Sequence, residues 1–242
     1  MKISEIDKNL ALDTVTSDEN TVFLDVSQPP FQVTGVLLPT EQEPYYRRMP
    51  QALADSVSPG VAELNHHTAG GRVRFVTDSP YVAIHAEMES VCRMDHMAFT
   101  GTHGFVLYAR IDGQEKYVGT FRPSTTLAHG YESKLALPAG GPHEVTVNFP
   151  LYNNVDRLFI GVQEGSRISA PRAYAHPVPV VYYGSSITQG GCASRPGNSY
   201  QAIISRKLDC DHVNLGFSGS GKGETIMAEY IASMDMSVLV MD

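Results

Sequence analysis

Two short turns in this 242-residue sequence place hydroxyls and flexible backbone where an acyl carbonyl can be attacked. The first is Gly184-Ser185-Ser186-Ile187-Thr188 and the second is Asn214-Leu215-Gly216-Phe217-Ser218-Gly219-Ser220-Gly221. Each closes an apolar stretch that reads as a strand, Val178 to Tyr183 and His212 to Phe217. A serine in a tight turn becomes a nucleophile when a base takes its proton, and N–H donors must then hold the oxyanion. Ser186 is the candidate nucleophile. The N–H groups of Ser186 and Gly219 are the candidate oxyanion donors. Gly-Ser turns after strands are common and mostly structural, so spacing alone leaves this one reading among several.

The elements around these turns must bring them to one edge. Asn198-Ser199 precedes a helical pattern over Tyr200 to Leu208, a second helix is expected over Glu224 to Met234, and a third strand over Ser237 to Met241. This β-α-β-α-β order predicts a parallel sheet, in which Ser186 and Gly219 both lie at carboxyl ends of strands. Upstream the pattern differs. Arg72 to Val76, Tyr81 to Met88 and Phe105 to Ile111 alternate with period two, and Asp112-Gly113 is a hairpin signal leading into Tyr117 to Phe121. Val145 to Phe149 and Leu158 to Val162 are further strands, and no amphipathic helix is expected between 70 and 163. Residues before 65 read as short apolar patches between Pro-rich turns. The fold expected is therefore mixed: an antiparallel, jelly-roll-like β-sandwich over 1–170, then the first part of a three-layer α/β domain over 171–242. Pro171, Pro177 and Pro179 mark the connection.

Other constellations compete. Asp209-Cys210-Asp211-His212 spells Asp-x-x-His, but His212 opens its strand whereas Ser186 follows the end of the neighbouring one, roughly 16 Å away at about 3.3 Å per residue. His212 is expected at the surface. Nothing in the spacing of His66, His67, His96 or His103 singles one out as a base. Gly216 to Gly223 approaches the phosphate loop G-x-x-x-x-G-K-[ST], and Val238 to Asp242 imitates its metal-binding strand, but Gly223 stands where a hydroxyl should bind magnesium. Tyr45, Tyr46, Tyr108 and Tyr152 are candidates for stacking on sugar in a non-catalytic carbohydrate-binding sandwich. Cys92, Asp95 and His96, and the His66-His67 pair, lack the spacing of a zinc site, so no metal or cofactor is expected. Arg47-Arg48 reads as a solvated pair. A net charge of -8 argues against nucleic acid as partner. Three widely separated cysteines, a charged start without an apolar leader and no membrane-length apolar run point to a cytoplasmic protein off the membrane.

Tyr183-Gly184-Ser185-Ser186-Ile187-Thr188-Gln189-Gly190-Gly191 resembles the first block of the SGNH, or GDSL-like, hydrolases, and Asn214 to Gly219 is similar to their second block. Met94 to Met97, Gly104-Phe105 and Pro150 to Asn153 resemble the sandwich of a two-domain branch. The resemblance implies a flavodoxin-like α/β domain and a serine esterase that forms an acyl-enzyme on Ser186. The ester implied is an acylated carbohydrate, such as an O-acetyl ester, or a small molecule. Ser185 stands where the family has aspartate. The family's third block, an oxyanion asparagine, and its Asp-x-x-His block are expected beyond Asp242, so residues 1–242 alone are expected to turn over esters poorly.

Overall fold

The computed structural model describes residues 20–91, 93–124 and 126–242. Among these, period-two alternation builds two antiparallel sheets. β1 (Thr21–Asp25), β9 (Arg157–Gln163), β4 (Tyr81–Glu87) and β7 (Gly130–Ala136) form one, in that order. The other runs β10 (Ile168–Ser169), β3 (Arg72–Thr77), β8 (His143–Asn148), β5 (Phe105–Ile111) and β6 (Gln114–Phe121), with β2 (Gln32–Thr34) also paired to β3. Asp112 and Gly113 both take positive φ, 53° and 77°, the geometry of a two-residue turn that matches strand twist and joins β5 to β6. Val82, Ile84 and Ala86 of β4 meet Phe75, Phe105, Leu107 and Val147 of the other sheet in one core, so the two sheets form a sandwich.

The remaining chain forms the parallel sheet. β11 (His176–Gly184) lies between β12 (Cys210–Gly216) and β13 (Val238–Met241), in register Gly184↔Gly216 and Tyr183↔Met241. α4 (Ser186–Gln189), α5 (Tyr200–Leu208) and α6 (Thr225–Ala232) connect the strands, and α3 (Phe99–Thr102) is a single turn within the sandwich. β13 leaves Val238, Leu239 and Met241 open to solvent.

The region before residue 65 differs from the turns expected there. α1 (Gln51–Val57) and α2 (Pro59–Leu64) form, with the Ser58 hydroxyl accepting the Val61 N–H to cap α2. Met49, Ala54 and Val61 pack with Val181, Tyr183, Leu215, Phe217, Met227 and Ile231. A segment early in the chain thus covers one face of the parallel sheet, and the line between residues 170 and 171 does not separate the two cores.

A second junction is charged. The face of β3, β8 and β5 that points away from the sandwich core carries Arg72, Arg74 and Arg110. Arg72 pairs with Asp211 and donates to Tyr174 Oη at 2.9 Å. Glu144 accepts from Arg74 and Arg110 at 3.1 and 3.2 Å, and Arg172 donates to Asp209 at 2.6 Å. His212 lies inside this belt and is 1% exposed, not at the surface as its place in the strand suggested. Burial first, then the Arg72 and Arg206 cations, hold its ring neutral, well below the usual histidine range. Cover from the sandwich side, where Arg72 donates to His212 O at 3.2 Å, is the reason, and local pattern does not reveal it.

Candidate active site

β11 ends at Gly184, Ser185 caps the next turn, and Ser186 is the first residue of α4. Ser186 is half-buried, and no described residue hydrogen-bonds its hydroxyl. Its N–H meets Ser185 Oγ at 2.6 Å, so Ser185 holds the group read from the sequence as one oxyanion donor. Beside it, β12 ends at Gly216 and the chain turns through Phe217 to Gly221. Phe217 N–H donates to Gly184 O at 2.9 Å, which ties the two turns together. They approach backbone to backbone. A Cβ on Gly216 would lie 2.2 Å from Gln189 N, and one on Gly221 would lie 2.1 Å from Gly184 O. These positions require glycine because no side chain fits.

Within the second turn most donors are engaged. Ser218 N–H donates to Gln189 Oε1 at 2.9 Å, and Ser220 and Gly221 N–H both donate to Phe217 O. Gly219, exposed with φ 68°, keeps an N–H with no partner among the described residues. Asn214, fully buried, donates to Thr188 O at 2.8 Å and accepts from Gly216 N–H at 2.8 Å, joining the end of β12 to α4. Thr188 Oγ1 donates to Asp242 Oδ2 at 2.9 Å.

The sandwich side supplies the packing beneath these turns. Arg48 is buried and donates to Gly216 O, to Asn214 O at 3.4 Å and to Leu64 O at 2.5 Å, with its guanidinium 4.3 Å from the Phe217 ring centroid. Burial pulls it down to about 9, and no described carboxylate pairs with it. Tyr152 Oη donates to Ser186 O at 3.2 Å. Its hydroxyl is raised by burial, opposed by a bond to Ser218 and by the Arg48 charge. His67 Nδ1 lies 3.1 Å from Gln189 Nε2, and burial, then Arg48, lower the ring to about 3. From the sequence, Tyr152 is part of a motif and a candidate for stacking on sugar. Arg48 reads as solvated, and Gln189 stands in the first block without a role. Their partners lie far off in sequence, beyond the reach of any local pattern.

Residues 21–168 match the family described as the N-terminus of SGNH-hydrolase-type esterases. The chain belongs to the SGNH-type esterases. Residues 178–242 match the GDSL-like lipase/acylhydrolase family. Among solved structures, a GDSL-like lipase from Bacteroides ovatus is 28% identical with a TM-score of 0.82, over 92% of this chain and 64% of that one. The salicylyl-acyltransferase SsfX3 of a tetracycline biosynthetic pathway shares the fold at 18% identity and TM-score 0.70, over 90% of this chain and 60% of that one. A family two carbohydrate esterase from Cellvibrio japonicus gives 13% and 0.50, over 82% and 53%. The chain therefore spans less than two thirds of the length of these structures. No curated protein matches it.

Among SGNH-type features, the rival constellations fare differently. In the would-be phosphate loop, Gly223 N–H donates to Tyr183 Oη at 2.7 Å, and the Ser220 and Gly221 amides are turned inward to Phe217 O, so the donors a phosphate needs are already engaged. Asp242, its supposed metal ligand, accepts from Thr188. Tyr46, Tyr108 and Tyr152 are buried, and Tyr45 stacks on His66, so they form no open sugar platform. Arg47 and Arg48 are both buried, which corrects the solvated reading; Arg47 pairs with Glu43. His212 sits opposite Val180, near the start of the paired register, while Ser186 lies beyond the other end of β11, so geometry keeps Asp209 and His212 out of the site. His66 bonds Gln51 Oε1 at 3.0 Å, His103 bonds Thr102 Oγ1 at 2.7 Å and His96 is exposed. Cys92 lies outside the described residues, and among those described no three His, Cys, Asp or Glu side chains gather as a metal site. No helix among them is long and apolar enough to cross a membrane.

Proposed function

We propose that Ser186 is the nucleophile of a serine esterase acting on an acylated carbohydrate or a small-molecule ester. The observation that carries this is the pairing, on adjoining turns at the carboxyl ends of β11 and β12, of a Ser186 hydroxyl and a Gly219 N–H that no described residue engages. Ser186 Oγ bonds to the acyl carbon while its proton passes to a base. The carbonyl oxygen gains the negative charge, which the Gly219 N–H stabilises, joined by the Ser186 N–H once Ser185 Oγ releases it. Collapse expels the alcohol, which takes a proton, and leaves the acyl group on Ser186. Water then regenerates the serine and releases the acid; an alcohol in its place would receive the acyl group. His67 is unsuited to be the base, since its Nδ1 is held by Gln189 and its ring stays neutral down to about 3. A histidine and an aspartate outside the described residues complete the relay in this reading.

The test is reaction with a fluorophosphonate probe and turnover of 4-nitrophenyl acetate by an esterase-active preparation. Ser186→Ala is expected to abolish both. Turnover that survives the substitution overturns the assignment.

A further inference from the structure

Gln189 closes the single turn of helix that Ser186 opens, and it is completely buried. Every polar group of its amide is engaged. Nε2 faces His67 Nδ1 at 3.1 Å and Leu151 O at 3.2 Å, and Oε1 accepts the Ser218 N–H at 2.9 Å. His67 and Leu151 both come from the N-terminal part of the chain. The Leu151 carbonyl offers only lone pairs and the Ser218 N–H only a proton, which sets the orientation of the amide; His67 Nδ1 then accepts, with the ring proton on Nε2. Leu151 O and His67 Nδ1 thus both accept from the NH2 end of the amide. Oε1 is left pointing at Ser218, and the Ser218 N–H is drawn inward.

The next residue feels the result. With Ser218 held by Gln189, and Ser220 and Gly221 held by Phe217 O, Gly219 is left with an N–H that has no partner among the described residues. We propose that His67 and Gln189 are a positioning pair: through them the β-sandwich side fixes the loop that aims the Gly219 N–H at the oxyanion. Tyr152 braces the other turn through Ser186 O. This rests on the serine esterase reading. It makes the N-terminal part a component of the catalytic geometry, beyond any part in binding substrate.

Two measurements test the pair. Amide hydrogen exchange on the chain itself needs no turnover. The Ser218 amide is expected to exchange about tenfold faster in Gln189→Ala and His67→Leu, and close to the wild-type rate in His67→Gln, which restores an acceptor. The Val213 amide within β12 should be unchanged in all three. In an esterase-active preparation, Gln189→Ala should lower kcat by about 10- to 100-fold with KM within about twofold, as a misplaced oxyanion donor would. Unchanged Ser218 exchange in Gln189→Ala overturns the proposal. So does equal acceleration at Val213, which would mark a merely structural pair, and so does unchanged kcat. If turnover survives Ser186→Ala, the esterase reading fails instead, and the exchange data still decide whether the pair holds the loop.

Discussion

The two ends of β12 meet the sandwich side through opposite chemistry. At the amino end, Arg72, Asp211, Arg172, Asp209 and Glu144 form paired charges around a buried neutral His212. At the carboxyl end a single buried cation, Arg48, has carbonyl oxygens in place of a carboxylate, and neutral amides do the rest. The paired charges join the two parts of the chain but touch neither turn of the candidate site. The carbonyl and amide contacts act on the site turns themselves, through Gly216 O, the Ser218 N–H and Ser186 O, and so set the geometry of both turns. The end of the strand that carries the candidate chemistry is the one held through carbonyls and amides.

Substituting one arginine at each end gives the largest separation. Arg72→Ala leaves Asp211 without its partner and should destabilise by about 3–5 kcal/mol in denaturant melts, with Ser218 amide exchange relative to global unfolding unchanged. Arg48→Ala strands buried carbonyls of Leu64, Asn214 and Gly216 and should cost a similar amount, about 3–5 kcal/mol, but with local acceleration at Ser218. Identical exchange patterns in the two variants would erase the distinction. Gly216→Ala comes next. Its Cβ would press on the Gln189 backbone, so a loss of about 1–3 kcal/mol together with loss of Ser186 labelling in an active preparation is expected.

Much of this arrangement is legible in sequence, but only where contacts are local. Asp112-Gly113, the period-two strands and the β-α-β-α-β order at the C-terminal end follow from neighbours a few residues apart. The helix over Tyr200–Leu208 matches expectation residue for residue. α1 and α2 escaped because each is short and Pro59 and Gly60 open the second, so the helical spacing of Leu53, Ala54 and Val57, and of Val61 and Leu64, runs for only about one turn in each. Arg48 and His212 escaped for a related reason. A charged or polar side chain reads as solvated until its cover is known, and that cover is a strand or sheet face more than 100 residues away. Glycine gave the opposite result: Gly216 and Gly221 lie in a turn that the sequence marks as a whole, and the close approach of two backbones accounts for both.

The neutral histidines give a smaller and graded effect. His67 titrates near 6.5 when unfolded and at about 3 when folded, because burial and then Arg48 disfavour its charge. Above pH 6.5 its contribution is complete. Between about pH 6.5 and 3 the unfolded chain binds the extra proton, so stability falls as pH falls, by about 1.4 kcal/mol per pH unit for one such group. His212 at the other end acts in the same direction. His67→Gln should therefore gain on the wild type steadily across that window in paired denaturant titrations; parallel curves would show that His67 does not titrate this way.

The smallest effect belongs to the rim of the charged belt. Asp209 is lowered mainly by its bond to Arg172, with burial opposing, and it stays partly open to water. Solvent and salt screen such a pair, so Asp209→Asn should cost no more than about 1 kcal/mol and its effect should shrink further in 1 M salt. Its folded carboxylate binds protons less readily than the unfolded one, so whatever it contributes is present above the unfolded range and lost as pH falls through the folded value. A loss at Asp209 as large as that at Arg72 would mean the belt acts as one cooperative network, and the contrast between the two ends of β12 would then be one of extent as well as of kind.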